Sequence, residues 1–176
     1  MMEMQSKTKP SKKKELGKLA SIYSRCLITR KVVLPIAVVG KNLTELLEKK
    51  IISTIEGKCL VEGFVKPKST KIITHSSGMV QSDTIVFDIV FECEVCFPVE
   101  GMLISCVAKN ITKAGIRAES DGEIPSPVVV FIARDHHYAV PQFANVQEGD
   151  KFTARVIGQR FELNDKYVSV IAEYIQ

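Results

Sequence analysis

A mixed α+β unit followed by an all-β one is the fold class this sequence predicts, and three observations carry it. One stretch of helical periodicity, 43–56, stands among strand-like segments in the first half. A long β-branched run, 85–97, ends at Pro98, which lacks a backbone donor and interrupts sheet pairing. After Gly101 five strand-like segments follow one another. At 176 residues the chain suits one domain or two small ones, and the Pro98 join favours two of roughly 80 residues each. The expected divisions are a disordered basic tail over 1–19, one domain over 20–98 and another over 99–176.

The tail has almost no aliphatic side chains and six lysines against two glutamates up to Lys18. It reads as a solvated terminus, an import-like patch or a loose phosphate binder. From 22 to 34, Ile22, Cys26, Ile28, Val32 and Leu34 alternate with Arg25 and Lys31, the pattern of a half-buried strand closed by Pro35. Asn42 followed by Glu45 suggests a capping box. Leu43, Leu46, Leu47, Ile51 and Ile55 then share one helical face, and Gly57 takes the position after the helix end where glycine is favoured. Strands are expected at 58–65 and 71–75, with 76–78 turning the chain toward the strand 85–97. One helix on one face of an antiparallel sheet accounts for this half.

Beyond the join, 102–111 and 116–119 form a hairpin whose turn ends at Gly115, a residue able to take positive φ. Strands follow at 128–134, 152–161 and 167–174, with an irregular connector over 135–148 that contains Pro141. Five strands with the one long connection between the third and fourth is the sequence order of an OB-type barrel.

Composition narrows the classes of function. No apolar run approaches the roughly 20 residues of a membrane helix. Five cysteines without a regular framework favour a reducing compartment. The net charge of +4 belongs to the tail, since the rest of the chain carries 18 bases and 18 acids. Cys93 and Cys96 form a CxxC inside a strand pattern, where residues three apart face opposite sides, so neither a redox pair nor a metal site is expected. Asp135, His136 and His137 lie on a barrel loop without a serine elbow or a phosphate-cradling glycine motif, which argues against a self-sufficient enzyme and implies no cofactor.

The pieces VVLPIAVVGKNLTELLEKKI, STIEGKCLVEGFV, FECEVCFPVEGMLISCVAKNITKAGIRAE and VQEGDKFTARVIGQRFELNDKYVSVIAEYI, in this order over roughly 22–176, resemble the stalk subunit of DNA-directed RNA polymerases. This is the seventh subunit in eukaryotes and the E subunit in archaea. The chain departs from that family at Val95-Cys96-Phe97-Pro98, where an arginine is usual, and in its lysine-rich extension, so a divergent or viral member fits as well as a cellular one. The resemblance implies an RNP-like tip domain before the OB barrel. It also implies a noncatalytic polymerase subunit whose partners are the core subunits, a smaller helical stalk subunit and nascent RNA, with no membrane. Its location would be nuclear in a eukaryotic cell, or cytoplasmic or virion-borne for a virus. Docking on the core is expected through Glu56, Gly57, Gly63, Phe64 and Val65. The competing reading is a stand-alone OB-fold RNA-binding factor in translation or RNA decay.

For RNA, the barrel offers Lys109, Lys113, Arg117, Arg155 and Arg160 as phosphate-holding cations. His137 and Tyr138 on the connector are the expected base contacts, while Phe131, Phe152 and Phe161 are assigned to the barrel core. The barrel has eight bases and ten acids, so binding would depend on clustering on one face.

Overall fold

The computed structural model describes Leu19 and residues 21–175, so the tail expected at 1–19 lies, Leu19 apart, outside the described residues. Strand β1 (Tyr23–Pro35) buries Ile28, Val32 and Leu34 on one face, as its alternation requires. A 3-10 turn (Ile36–Val38) leads to helix α1 (Leu43–Ile55), which buries Leu47, Ile51 and Ile55 along a single stripe. Asn42 makes no side-chain cap hydrogen bond, so the expected capping box is not formed. Gly57 takes a φ of 69° just past the helix end, the left-handed conformation for which glycine is suited.

Four short strands follow: β2 (Cys59–Leu60), β3 (Gly63–Val65), β4 (Lys71–His75) and β5 (Met79–Gln81). The long strand β6 (Thr84–Cys96) then pairs with β1 along its whole length, from Tyr23–Cys96 to Pro35–Thr84. The sheet order is β1-β6-β3-β2, with β4 and β5 also bonded to β6. Phe87, Ile89, Phe91, Cys93 and Val95 point from β6 toward α1 and close this core. Each such large side chain contributes about 1.5–3 kcal/mol by leaving water. The segment 58–65, expected as one strand, is instead a tight hairpin. Its turn residue Glu62 receives two bonds from Arg30 Nη2, at 2.8 and 2.7 Å. Strand β5 was not expected; its three residues are all exposed and give no alternation to read.

The second half forms a closed barrel of β7 (Leu103–Ile111), β8 (Gly115–Ser120), β9 (Val128–Ala133), β10 (Lys151–Arg160) and β11 (Val168–Ile175). The order around it is β10-β11-β9-β8-β7, and β7 pairs back to β10. The β9–β11 pair is parallel and the rest are antiparallel. Gly115 has a φ of 153°, and a Cβ there would collide with the Ile132 carbonyl. The connector holds a 3-10 turn (Arg134–His136) and a single-turn helix, α2 (Pro141–Ala144). The whole is mostly β with one long helix, compatible with the α+β expectation.

Sheet and barrel share packing. Cys59, Phe64 and Cys96 from the sheet belong to the same buried cluster as Ile104, Val130 and Val168 from the barrel. The Cys59 N–H donates to the Asp165 carbonyl at 2.8 Å, and the Asn164 N–H donates to the Cys59 carbonyl at 2.9 Å. On another side the Tyr23 hydroxyl donates to Glu123 at 2.9 Å, and Lys66 lies 4.8 Å from the Tyr23 ring centroid, bridging Glu94 and Glu123. Burial first, and then the bond to Glu123, holds the Tyr23 phenol far above its ordinary range.

Candidate nucleic-acid interface

Outward positions on β8 and β9 build the barrel's open face. In the register, Arg117 stands opposite Phe131, and Phe131 stands beside Ile171 of β11. Inward positions Val128, Val130 and Ile132 fill the barrel, so Phe131 is turned outward by alternation and is 42% exposed. Ile171 is 60% exposed. Together with Ala114 and Gly115 they line an apolar trough of about 580 Å³. The expectation that Phe131 fills the core is therefore corrected. A strand of consecutive apolar residues hides its parity in the sequence, whereas the cross-strand partner Arg117 reveals it. Phe152 is buried in the barrel as expected, and Phe161 is half-buried, edge-on to Phe97 at 6.0 Å.

A second cleft of about 580 Å³ adjoins the trough at Arg117 and lies where the sheet meets the barrel. Gly57, Phe64 and Pro67 form its sheet side, and Lys109, Val129 and Tyr167 lie on its barrel side. Lys166 joins them from the turn before β11. Arg117 is 3.5 Å from Glu119, whereas Lys109, Lys113 and Lys166 make no ion pair among the described residues.

The expected RNA residues separate into three groups. Lys109 and Arg117 come together in the junction cleft, with Lys113 in the turn whose Thr112 and Ala114 line the trough. Arg155 and Arg160 lie on β10, which pairs with β11 and β7 and with neither β8 nor β9. Arg155 is committed to Glu173 at 2.7 Å, and Arg160 faces Glu162 at 3.8 Å. On the connector, Tyr138 is 78% exposed and donates to Asp135 at 3.1 Å, a bond that pushes its phenol up.

His137 does not face solvent. It is 6% exposed, and its Nε2 accepts the Tyr174 N–H at 2.9 Å. Its Nδ1 therefore carries the ring proton and donates to the Ala133 carbonyl at 2.7 Å. The ring stacks on Phe143 at 4.7 Å. The base contact expected of His137 is thus replaced by a structural one: the imidazole ties the connector to the last strand.

The expected docking segment is likewise drawn inward. Phe64 is 3% exposed, Val65 and Gly63 are buried, and Glu56 accepts the Lys68 and Thr70 N–H groups. Phe64 packs on the barrel and cannot present its ring to another protein in this conformation. Val61, at the hairpin turn, is the exposed apolar side chain of this region.

The CxxC residues lie in different cores, Cys93 beneath α1 and Cys96 against the barrel. Burial raises the Cys93 thiol to about 11 and the Cys96 thiol to about 12, the opposite of an activated pair.

Cations beside an exposed ring on the outer wall of a closed barrel are features shared with single-stranded nucleic-acid binders. Sequence comparison gives this class a narrower setting. The chain is 26% identical over 172 residues to a putative DNA-directed RNA polymerase subunit of Acanthamoeba polyphaga mimivirus, a match covering 88% of this chain and 83% of the relative. It is 30% identical over 114 residues to DNA-directed RNA polymerase II subunit 7 of Arabidopsis thaliana and 28% identical over 114 residues to the corresponding Glycine max subunit. Each plant match covers 63% of this chain and 60% of the relative. No protein-family model matches the chain. These relatives bear out the resemblance to the seventh-subunit stalk family of RNA polymerase, and to a divergent, viral type within it.

Proposed function

We propose that this chain is a noncatalytic subunit of a multisubunit DNA-directed RNA polymerase, forming its stalk. The observation that carries the reading is the similarity to a viral polymerase subunit over 88% of the chain. The parallel β9–β11 closure of the five-stranded barrel supports an OB-fold assignment for 99–176. The helix-on-sheet unit supports an RNP-like tip domain over 20–98.

In this reading the tip docks on the polymerase core and a smaller helical subunit completes the stalk. The docking contact falls to exposed Val61 and the half-buried Glu56–Gly57 corner, rather than to the buried Phe64 and Val65 side chains. The barrel meets nascent RNA on the β8–β9 wall, with Lys109, Lys113 and Arg117 as cations and Phe131 as a stacking surface. Tyr138 is an outlying contact. Arg155 and Arg160 contribute less, because they lie on β10, which is not adjacent to the β8–β9 wall. A eukaryotic host polymerase would place the chain in the nucleus, and a viral one in the cytoplasm or virion. Among the described residues no helix is long and apolar enough to cross a membrane.

Affinity capture of the full chain from its native source at high salt tests the proposal. Stoichiometric recovery with very large polymerase catalytic subunits is the expected result. Recovery alone with RNA, or with translation or decay factors, would replace it with the stand-alone RNA-binding reading.

A further inference from the structure

Resting on the RNA reading above, we infer that the junction cleft between sheet and barrel is a pocket for one unstacked base of single-stranded RNA, with Tyr167 as its platform. Such a pocket is wider in scope than a barrel wall alone, because the sheet closes one side of it. Gly57, Phe64 and Pro67 stand across from Tyr167 and from the exposed Ile124–Pro125 loop. A strand of RNA following β8 and β9 would meet this side rather than run straight past. The outer trough runs along Phe131 and Ile171, whereas the junction cleft is walled by residues from both halves of the sequence.

Chemistry favours a nucleotide as the occupant. Tyr167 is 43% exposed, and with Pro125 and Phe64 it lends the cleft an apolar lining of the kind a base face packs on. Lys109, Lys166 and Arg117 surround the cleft, and Glu119 is the one acid lining it. Glu119 sits against Arg117, which leaves the two lysines unpaired among the described residues and the mouth net positive. Cations around an aromatic slot match a base with its flanking phosphates, while a duplex, whose bases stay stacked inside, offers no base to the platform. The cleft volume of about 580 Å³ is of nucleotide scale and too small for a helix of RNA. The backbone at Tyr167 is held from behind, since its carbonyl accepts the Cys59 thiol at 3.7 Å and the adjacent 164–165 turn is bonded to Cys59.

The test uses the full chain and a fluorescent single-stranded oligouridylate, some of whose residues are 4-thiouridine. Irradiation should crosslink thiouridine to the peptide carrying Tyr167. Tyr167→Ala should weaken binding about fivefold or more with the salt slope unchanged, and Tyr167→Phe should restore it. Lys166→Ala should reduce the slope by about 0.7. Melting temperatures of all three variants should match the parent, since the Cys59 contacts use backbone atoms of 164–167. Wild-type affinity in Tyr167→Ala, with crosslinks confined to other peptides, would overturn the pocket while leaving RNA binding by the barrel intact. Absence of oligouridylate binding by the parent chain at low salt would overturn both. Equal affinity for a duplex of the same length would overturn the base pocket in favour of plain phosphate attraction.

Discussion

Replacing His137 by alanine separates a structural imidazole from a ligand-binding one. In the folded chain the ring accepts the Tyr174 N–H and donates to the Ala133 carbonyl, within a site only 6% exposed. Removing it strands one donor and one acceptor, each costing about 1–3 kcal/mol if no water reaches it. Loss of the stacked contact with Phe143 adds about 0.5–1.5 kcal/mol. Because α2 is a single turn at the surface, water will recover part of this, and a net loss of about 3 kcal/mol is expected. For a chain of this size that lowers the melting temperature by roughly 6–12 °C. Thermal unfolding followed by circular dichroism reads the shift, and RNA affinity measured well below the transition should stay within twofold of the parent. An unchanged melting temperature together with a clear loss of RNA affinity would refute the structural assignment and return His137 to the ligand face.

Phe64→Ala should destabilise the chain by about 3–5 kcal/mol in urea titration, because the ring fills the shared core; a loss confined to polymerase attachment would contradict this. Thiol labelling at neutral pH should modify Cys26 first, since burial holds Cys59 at about 11 and Cys106 at about 12; labelling of these two should quicken as pH rises, and rapid labelling of all five at pH 7 would show the packing to be wrong. For Glu62, burial opposes ionisation, but the Arg30 hydrogen bonds and charge outweigh it and hold the carboxyl below its ordinary value. Its contribution, at most about 1 kcal/mol at this partial exposure, is present above the ordinary carboxylate pKa and is lost as pH falls through the lowered one. Glu62→Gln should remove that part of the acid-side slope in stability against pH, and an unaltered slope would exclude it.

Local patterns were the legible part of this fold. The alternation in β1, the stripe of α1 and the bounds of β4 follow from period and punctuation alone. The β2–β3 hairpin was not legible, because Val61-Glu62 does not look like a turn until Arg30, thirty-two residues earlier, is seen to hold the glutamate. Exposed β5 carries no periodic signal, since neither face is buried. At the candidate site, charge and ring chemistry could be read from residue types, which is why Lys109, Lys113 and Arg117 stood out as candidates. Direction could not: whether Phe64, Phe131 and His137 point inward depends on contacts with chain far away in sequence. Burial, decided by those contacts, reassigns two of the three from partner-facing to structural roles.

The bonds from Cys59 to residues 164 and 165 have a consequence for synthesis. As the chain leaves a ribosome, β1, α1 and β6 are complete long before residues 164 and 165, the backbone partners of Cys59, exist. Cys59 lacks these partners until the turn before β11 emerges, and β11 itself must then slot between β9 and β10. The first half of the molecule is therefore finished only when the 164–165 turn and β11 have been made. A nascent chain stalled short of that turn exposes a sticky apolar face, the kind that chaperones hold. Loss of a short C-terminal stretch would thus be felt a hundred residues upstream, at a hairpin translated long before.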